Sequence, residues 1–234
     1  MTERTEILIG KEAVNKLKNS HVAVFGLGGV GGYVVEMLAR AGVGELTLVD
    51  FDTVAVSNLN RQIIALNSTI GKYKTEAFEA RLKDINPSIK LNIICNKYLP
   101  ENSEEFFKSH YDYVVDAIDI VTSKIHLIAT CHQKGINIVS AMGAGNRSVV
   151  PKFEVADIYN TYNDGLAKIL RKKLRELGVT KHIVVFTPNI AEPNGKTIGS
   201  ISYYPAMCGC TLAGFVINEL IKWFLHNLHK NTWN

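Results

Sequence analysis

The residues best placed to do chemistry begin with Gly26-Leu27-Gly28-Gly29-Val30-Gly31. Glycine removes the Cβ that would hold a ligand away from the backbone, and a helix opening at the last glycine offers unpaired N–H groups and the positive end of its dipole. That combination receives phosphate. Asp50 lies where a carboxylate accepts hydrogen bonds from ribose hydroxyls. Behind it come Asp52, then Asn58-Leu59-Asn60-Arg61-Gln62, then Lys74, and much later Asp119.

A glycine turn and one acid would suit a dinucleotide such as NAD, whose single pyrophosphate the helix N-terminus can hold largely alone. The residues after Asp50 ask for more charge. Arginine forms a rigid fork for phosphate oxygens and lysine a point charge, so Arg61 and Lys74 suit the outer phosphates of a triphosphate, with Asn58 and Asn60 as neutral donors. Lys72 reads as a solvated surface residue. A carboxylate at Asp119 suits Mg2+, which takes one or two carboxylates together with phosphate and water. The same aspartate suits the N-cap of the following helix, and the two roles are compatible.

These residues need a frame. His21-Val22-Ala23-Val24-Phe25 reads as a buried strand, residues 30–41 as a helix, and Glu45-Leu46-Thr47-Leu48-Val49 as a second strand ending at Asp50. Upstream, residues 5–17 read as one helical region. Downstream, residues 74–84 form a helix with Phe78, Leu82 and Ile85 near one face, stopped at Asn86-Pro87. Residues 91–95 are a third strand, 101–110 a short helix behind Pro100, and 113–119 the fourth strand and its exit, with Asp116 a structural residue on the strand itself. Residues 121–134 are a helix and 137–142 a fifth strand. Strands alternating with helices predict an α/β, Rossmann-like, mostly parallel sheet with helices on both faces.

The set Gly26 to Gly31, Asp50-Phe51-Asp52, Asn58 to Gln62 and Lys74 resembles the ATP-dependent adenylating superfamily, which includes ubiquitin-activating enzymes and the bacterial activators ThiF and MoeB. The resemblance runs to about Gly145. It implies that Gly26, Gly28, Gly29, Gly31, Asp50, Asp52, Asn58, Asn60, Arg61, Gln62 and Lys74 bind ATP and that Asp119 binds Mg2+. It also implies that a carboxylate is activated as an acyl-adenylate with release of pyrophosphate. Arg4 matches a superfamily arginine that reaches the phosphates, often from the partner subunit of a dimer. A frayed terminal arginine is the other reading. A homodimer follows from the resemblance alone.

Composition sets the bounds. With 47% hydrophobic and 21% charged residues the chain is an ordinary globular one, and a net charge of +4 does not by itself demand nucleic acid. The polar N-terminus lacks a secretory pattern, and the apolar helix expected over 211–225 is too short and too charged to span a bilayer, so a cytoplasmic protein without a membrane partner is expected. Cys95 and Cys131 read as small buried hydrophobes. Cys208-Gly209-Cys210 is a single close pair, whereas structural zinc takes two pairs.

The character changes after Gly145, so residues 1–145 are expected to form the ATP-binding region. Residues 146–234 would form a strand-helix extension, packed on the same sheet and facing the substrate. In it, 153–158 and 183–187 read as strands and 188–197 as a polar loop. Residues 164–178 read as an amphipathic helix with Leu166, Ile169, Leu170, Leu174 and Leu177 in its apolar stripe. Its other face carries Lys168, Arg171, Lys172, Lys173 and Arg175, which is either a solvated face or an RNA phosphate surface, with Lys168, Arg171, Lys172 and Arg175 as candidate tRNA contacts. Ile85-Asn86-Pro87, Asp116-Ala117-Ile118-Asp119, Gly143-Ala144-Gly145, Val184-Val185-Phe186 and Gly199-Ser200-Ile201-Ser202 extend the resemblance to the TcdA (CsdL) family of tRNA threonylcarbamoyladenosine dehydratases. The chain departs from that family at Val150-Pro151, Asp164-Gly165 and Thr187-Pro188-Asn189, none of them ATP residues. The resemblance implies cyclisation of the threonylcarbamoyl side chain on tRNA, giving AMP and pyrophosphate. The alternative is adenylation of a ubiquitin-like sulfur carrier, with sulfur-transfer proteins as partners.

Overall fold

The computed structural model describes the backbone of residues 1–192 and 197–231 and the side chains of 1–192 and 197–224. Two short helices, α1 (Glu3–Ile9) and α2 (Lys11–Lys18), lead into β1 (His21–Phe25), α3 (Gly31–Ala41) and β2 (Glu45–Val49). Then follow α4 (Lys74–Ile85), β3 (Lys90–Ile94), a 3₁₀ helix (Pro100–Phe107), β4 (Tyr113–Asp116), α5 (Val121–Lys134) and β5 (Ile138–Ala141). The chain continues through β6 (Glu154–Asp157), α6 (Gly165–Glu176), β7 (Ile183–Phe186) and α7 (Tyr203–Asn231).

The strands form one sheet in the order β3-β2-β1-β4-β5-β7-β6, with only β6 antiparallel to its neighbour. Strand residues alternate between two apolar layers. Val22, Val24, Leu46, Leu48, Val115 and Val185 pack with α2, α3, α4 and α7, while Ala23, Phe25, Val114, Val184 and Phe186 pack with α5, α6 and the 3₁₀ helix. Runs buried on both faces are the mark of a parallel sheet covered by helices. The α/β reading therefore holds, and β7 and β6 carry the segment after Gly145 onto the same sheet.

Several local expectations change. The helix predicted over 5–17 is two helices, broken at Gly10, whose φ of 84° an L side chain avoids. The short helix after Pro100 is a 3₁₀ helix ending at Phe107. In α6 the buried stripe is Ala167, Leu170 and Leu174, while Ile169 and Leu177 stay half exposed. Cys95, just past β3, is exposed, whereas Cys131 is buried. The last helix starts at Tyr203, eight residues ahead of the expected start, and its stretch Tyr203–Phe224 is long and apolar enough for a bilayer span. Cys208, Leu212, Ala213, Val216 and Ile221 on that stretch are core residues. Pro205 is tolerated because a first-turn N–H needs no helical partner. A Cβ on Gly209 would overlap Val30 O and lie 2.8 Å from Tyr33 Cβ, so glycine lets α7 press onto the start of α3. That contact accounts for the glycine between Cys208 and Cys210. The loop expected over 188–197 lies partly outside the described residues.

Candidate active site

Strand order reverses between β1 and β4, since β1 neighbours both β2 and β4 and the chain winds outward from this pair in both directions. In open α/β sheets ligands bind beyond the carboxyl ends of the strands at such a point. The glycine turn, Asp50 and the exit of β4 all lie there.

The turn is tightly built. Gly26 has φ 88°, and a Cβ on it would lie 2.6 Å from Ala117 O. A Cβ on Gly31 would overlap Gly26 O. Gly28 differs, because the nearest atom to an added Cβ is Gln62 Nε2 at 3.8 Å. The first two glycines are required by the fold, and the third leaves room for something to approach. Asp50 ties the turn to β2, with Leu27 N donating to its Oδ2 at 2.6 Å and Asp52 N to its Oδ1 at 2.8 Å. Burial pushes the Asp50 carboxyl above its usual range, and the Lys74 charge and the two backbone donors oppose that rise.

Lys74 opens α4 and is brought back by Lys74 N donating to Asp52 O at 3.0 Å and by the bridge between Thr53 and Tyr73. Its ammonium is buried, 2.7 Å from Asp52 Oδ2 and 4.0 Å from Asp50 Oδ1. A phosphate arriving here would compete with Asp52 for that charge. The loop holding Asn58 to Gln62 folds over the turn. Arg61 Cγ lies 3.4 Å from where a Gly29 Cβ would be, and Arg61 Nη1 donates to Ser57 O and Asn60 Oδ1 at 2.8 and 2.9 Å. Asn58 Oδ1 accepts from Ala55 N, and Asn60 Nδ2 donates to Ser200 O, so these two amides shape the loop. Gln62 is buried beside Gly28, and among the described residues its Oε1 has no hydrogen-bond partner. A buried acceptor of that kind is costly unless something donates to it, and a nucleotide's N–H or O–H would serve.

Asp119 is exposed, and among the described residues it has no hydrogen bond or ion pair. It is not the N-cap of α5; that position is Ile120, without a side-chain cap bond. Its carboxylate is thus free for a cation. No group of three or more His, Cys, Asp or Glu side chains that could hold a metal exists among the described residues.

Two sequence-predicted groups lie elsewhere. Arg4 is exposed on α1, and its neighbour Thr2 touches the Gly42 end of α3, about 16 Å of helix away from the glycine turn. Arg4 is not brought to this chain's own pocket. On α6, Lys168 and Lys172 are exposed without side-chain partners among the described residues. Arg175 lies over the Tyr159 ring at 4.8 Å. Arg171 corrects the expectation of a wholly outward basic face: it is half-buried and donates to Thr161 O at 2.9 Å and to Thr161 Oγ1, which turns it toward the body.

Sequence reasoning missed three buried charged residues near this edge. Asp164 caps α6 through Ala167 N and also accepts from Gly143 N. Arg147 donates to the carbonyls of Gly143, Gly145 and Asn189. Lys124 pairs with Asp116. The first had a signal, an acid ahead of an amphipathic run; the other two had none.

The model of the ThiF family matches residues 3–234. The chain belongs to the ThiF family. Among its relatives, the tRNA threonylcarbamoyladenosine dehydratase of Bacillus subtilis is 40% identical over 238 residues, covering 94% of each chain. The molybdopterin-synthase adenylyltransferase of Haemophilus influenzae is 36% identical over 172 residues, 72% of this chain and 70% of its own. The solved structure of E. coli tRNA N6-threonylcarbamoyladenosine dehydratase, TcdA, in complex with ATP superposes with a TM-score of 0.89 at 32% identity, over 95% of this chain and 94% of that one. The ThiF-family fold, the glycine turn at the switch point and an ATP-dependent enzyme therefore agree.

Proposed function

We propose that this chain is an ATP-dependent tRNA threonylcarbamoyladenosine dehydratase. The observation that carries the reading is the match to a dehydratase, 40% identical over 94% of each chain; Arg61 beside an open glycine turn, the buried Lys74 and the exposed Asp119 after β4 support it. In the reaction a carboxylate oxygen of the threonylcarbamoyl side chain attacks the α-phosphorus of ATP and pyrophosphate leaves. The acyl-adenylate is then captured within the same side chain, so that AMP departs and the nucleoside has lost one water.

The chain's own residues position and neutralise. Gly28 allows the backbone to approach the phosphates, and the free N–H groups at the start of α3 receive them. Asp50 accepts from ribose. The Gln62 acceptor is completed by the nucleotide. Lys74 and Arg61 stabilise charge building on the leaving pyrophosphate, a role in which one preorganised donor is worth about a hundredfold in rate. Asp119, with phosphate oxygens and water, would hold Mg2+, which supplies electrostatic stabilisation of the phosphates when bound. Arg4 reaches a second copy's phosphates in a homodimer; α1 also presents Ile7 and Leu8 at 76% exposure each, which supports a covered face there. Lys168, Lys172 and Arg175 offer a salt-sensitive surface to tRNA. Such an enzyme works where tRNA is, in the cytoplasm.

The test is pyrophosphate release with MgATP in the presence of bulk tRNA lacking the cyclised nucleoside, of a carrier protein with a Gly-Gly tail, or of neither. Release stimulated by tRNA alone is expected. Release that needs the carrier protein would replace this reading with sulfur-carrier adenylation.

A further inference from the structure

We propose that Lys124 and Asp116, a buried ion pair behind the site, are positioning residues that set the turn carrying Asp119. The proposal rests on the assignment of Asp119 above. Both side chains are 0% exposed. The ammonium lies 2.8 Å from Asp116 Oδ2, a charge contact whose angles fall outside hydrogen-bond range.

Among the described residues the pair's side-chain hydrogen bonds all go to Ile118. Asp116 Oδ1 accepts from Ile118 N at 3.1 Å. Lys124 Nζ donates to Ile118 O, also at 3.1 Å, and Lys124 N closes the first turn of α5 on Ile120 O. Ile118 is thus gripped at both its N–H and its carbonyl by two opposite charges, one residue ahead of Asp119. The near side of the same turn is fixed too, since Ala117 N donates to Phe25 O and Ala117 O fills the space that a Gly26 side chain would take. Among the described residues, Asp119 itself makes no side-chain bond that would hold it. Its place relative to the glycine turn follows from the backbone alone, and Lys124 and Asp116 are what the backbone leans on.

Energetics point the same way. Two charges taken fully out of water lose more hydration than their attraction returns, so an apolar pair of similar volume would usually stabilise a fold as well or better. A pair retained in the interior at that cost, with its side-chain hydrogen bonds on the turn ahead of Asp119, acts through geometry. An error of about 1 Å in a reacting group costs roughly a hundredfold in rate.

The test compares Asp116→Leu/Lys124→Met, Lys124→Arg and Asp119→Asn with the natural chain, reading melting temperature, the kcat and KM of tRNA-dependent pyrophosphate release, and the gain in ATP affinity that Mg2+ produces in calorimetry. The double variant is expected to melt no lower than the natural chain, to lose about a hundredfold in kcat with KM for tRNA unchanged, and to lose the Mg2+ gain as Asp119→Asn does. Lys124→Arg keeps the charge but crowds the turn, and should fold with kcat reduced about tenfold and a weakened Mg2+ gain. Natural kcat and Mg2+ gain in the folded double variant, beside an impaired Asp119→Asn, overturn the proposal alone. Should the double variant not fold, natural values in Lys124→Arg overturn it. Asp119→Asn indistinguishable from the natural chain overturns the assignment of Asp119 and the proposal with it.

Discussion

Substituting alanine at Gly28 and at Gly31 should separate the two uses of the glycine turn. At Gly31 the new methyl would overlap Gly26 O and lie 2.9 Å from Gly26 C, both backbone atoms that cannot rotate away. Ordinary carbon contacts are about 3.5–4 Å, so the start of α3 must move by roughly 1 Å or more. Overpacking of this kind reaches about 3 kcal/mol, a fall of roughly 6–12 °C in melting temperature for a chain this long. ATP affinity should fall with it. At Gly28 the new methyl meets only Gln62 Nε2, at 3.8 Å. Its backbone φ is not in the left-handed region, so stability should stay within about 0.5 kcal/mol of the natural chain. The methyl would nevertheless occupy the space through which the backbone approaches the phosphates, costing at least about 1.4 kcal/mol, or tenfold, in ATP affinity. Thermal melting and calorimetric titration with MgATP read the two quantities separately. A Gly28→Ala chain that binds ATP as tightly as the natural one would refute the idea that this glycine is reserved for the ligand.

Other predictions concern charge and burial. Arg61→Ala and Asp119→Ala should each lower the rate of pyrophosphate release by about a hundredfold or more with unchanged melting, because neither side chain holds a core contact; near-natural rates would remove the role given to that residue. His182 is almost fully buried, with Nε2 2.9 Å from Ser140 Oγ and Nδ1 3.4 Å from His132 Nε2. Burial, with help from the His132 and Lys124 charges, pushes it down to about 3. A lowered folded-state value means that the unfolded chain takes up the proton first, so stability is present above about pH 6.5 and is lost as pH falls toward 3. Between pH 7 and pH 5 that loss is about 2 kcal/mol, and His182→Gln should flatten it in pH-dependent denaturant melts. Cys95 and Cys210 are exposed, whereas Cys131 and Cys208 are buried with thiols pushed up to about 12 by burial. A thiol reagent should therefore label the first pair in the native protein and the second only on unfolding.

The part of the molecule legible in the sequence is the part where local pattern and chemistry coincide. Strand β1, the glycine turn, α3 and β2 could be read almost residue by residue, because an apolar run, a turn and an amphipathic helix follow one another with an acid at the end. The limits of α5 were equally plain. Long-range packing hid the rest. Nothing local says that Gly209 sits against α3, so Cys208-Gly209-Cys210 reads as a close cysteine pair ahead of a helix that in fact includes it. Arg171 carried the same signal as Lys168, and only Thr161, ten residues upstream, decides that it turns inward. In the candidate site, Arg61, Lys74 and Asp119 could be proposed from residue type and spacing. The buried Lys124 and Arg147 could not be, because an isolated basic residue in a sequence does not reveal a buried carboxylate or a ring of carbonyls.

The most direct measurement is made on the product. Bulk tRNA carrying the uncyclised threonylcarbamoyl nucleoside is treated with the protein, ATP and Mg2+, digested to nucleosides and weighed by mass spectrometry while pyrophosphate is counted. One water lost from the modified adenosine for each pyrophosphate released is the predicted result. Pyrophosphate without any change in the nucleoside, or a changed nucleoside in the absence of ATP, would contradict the account.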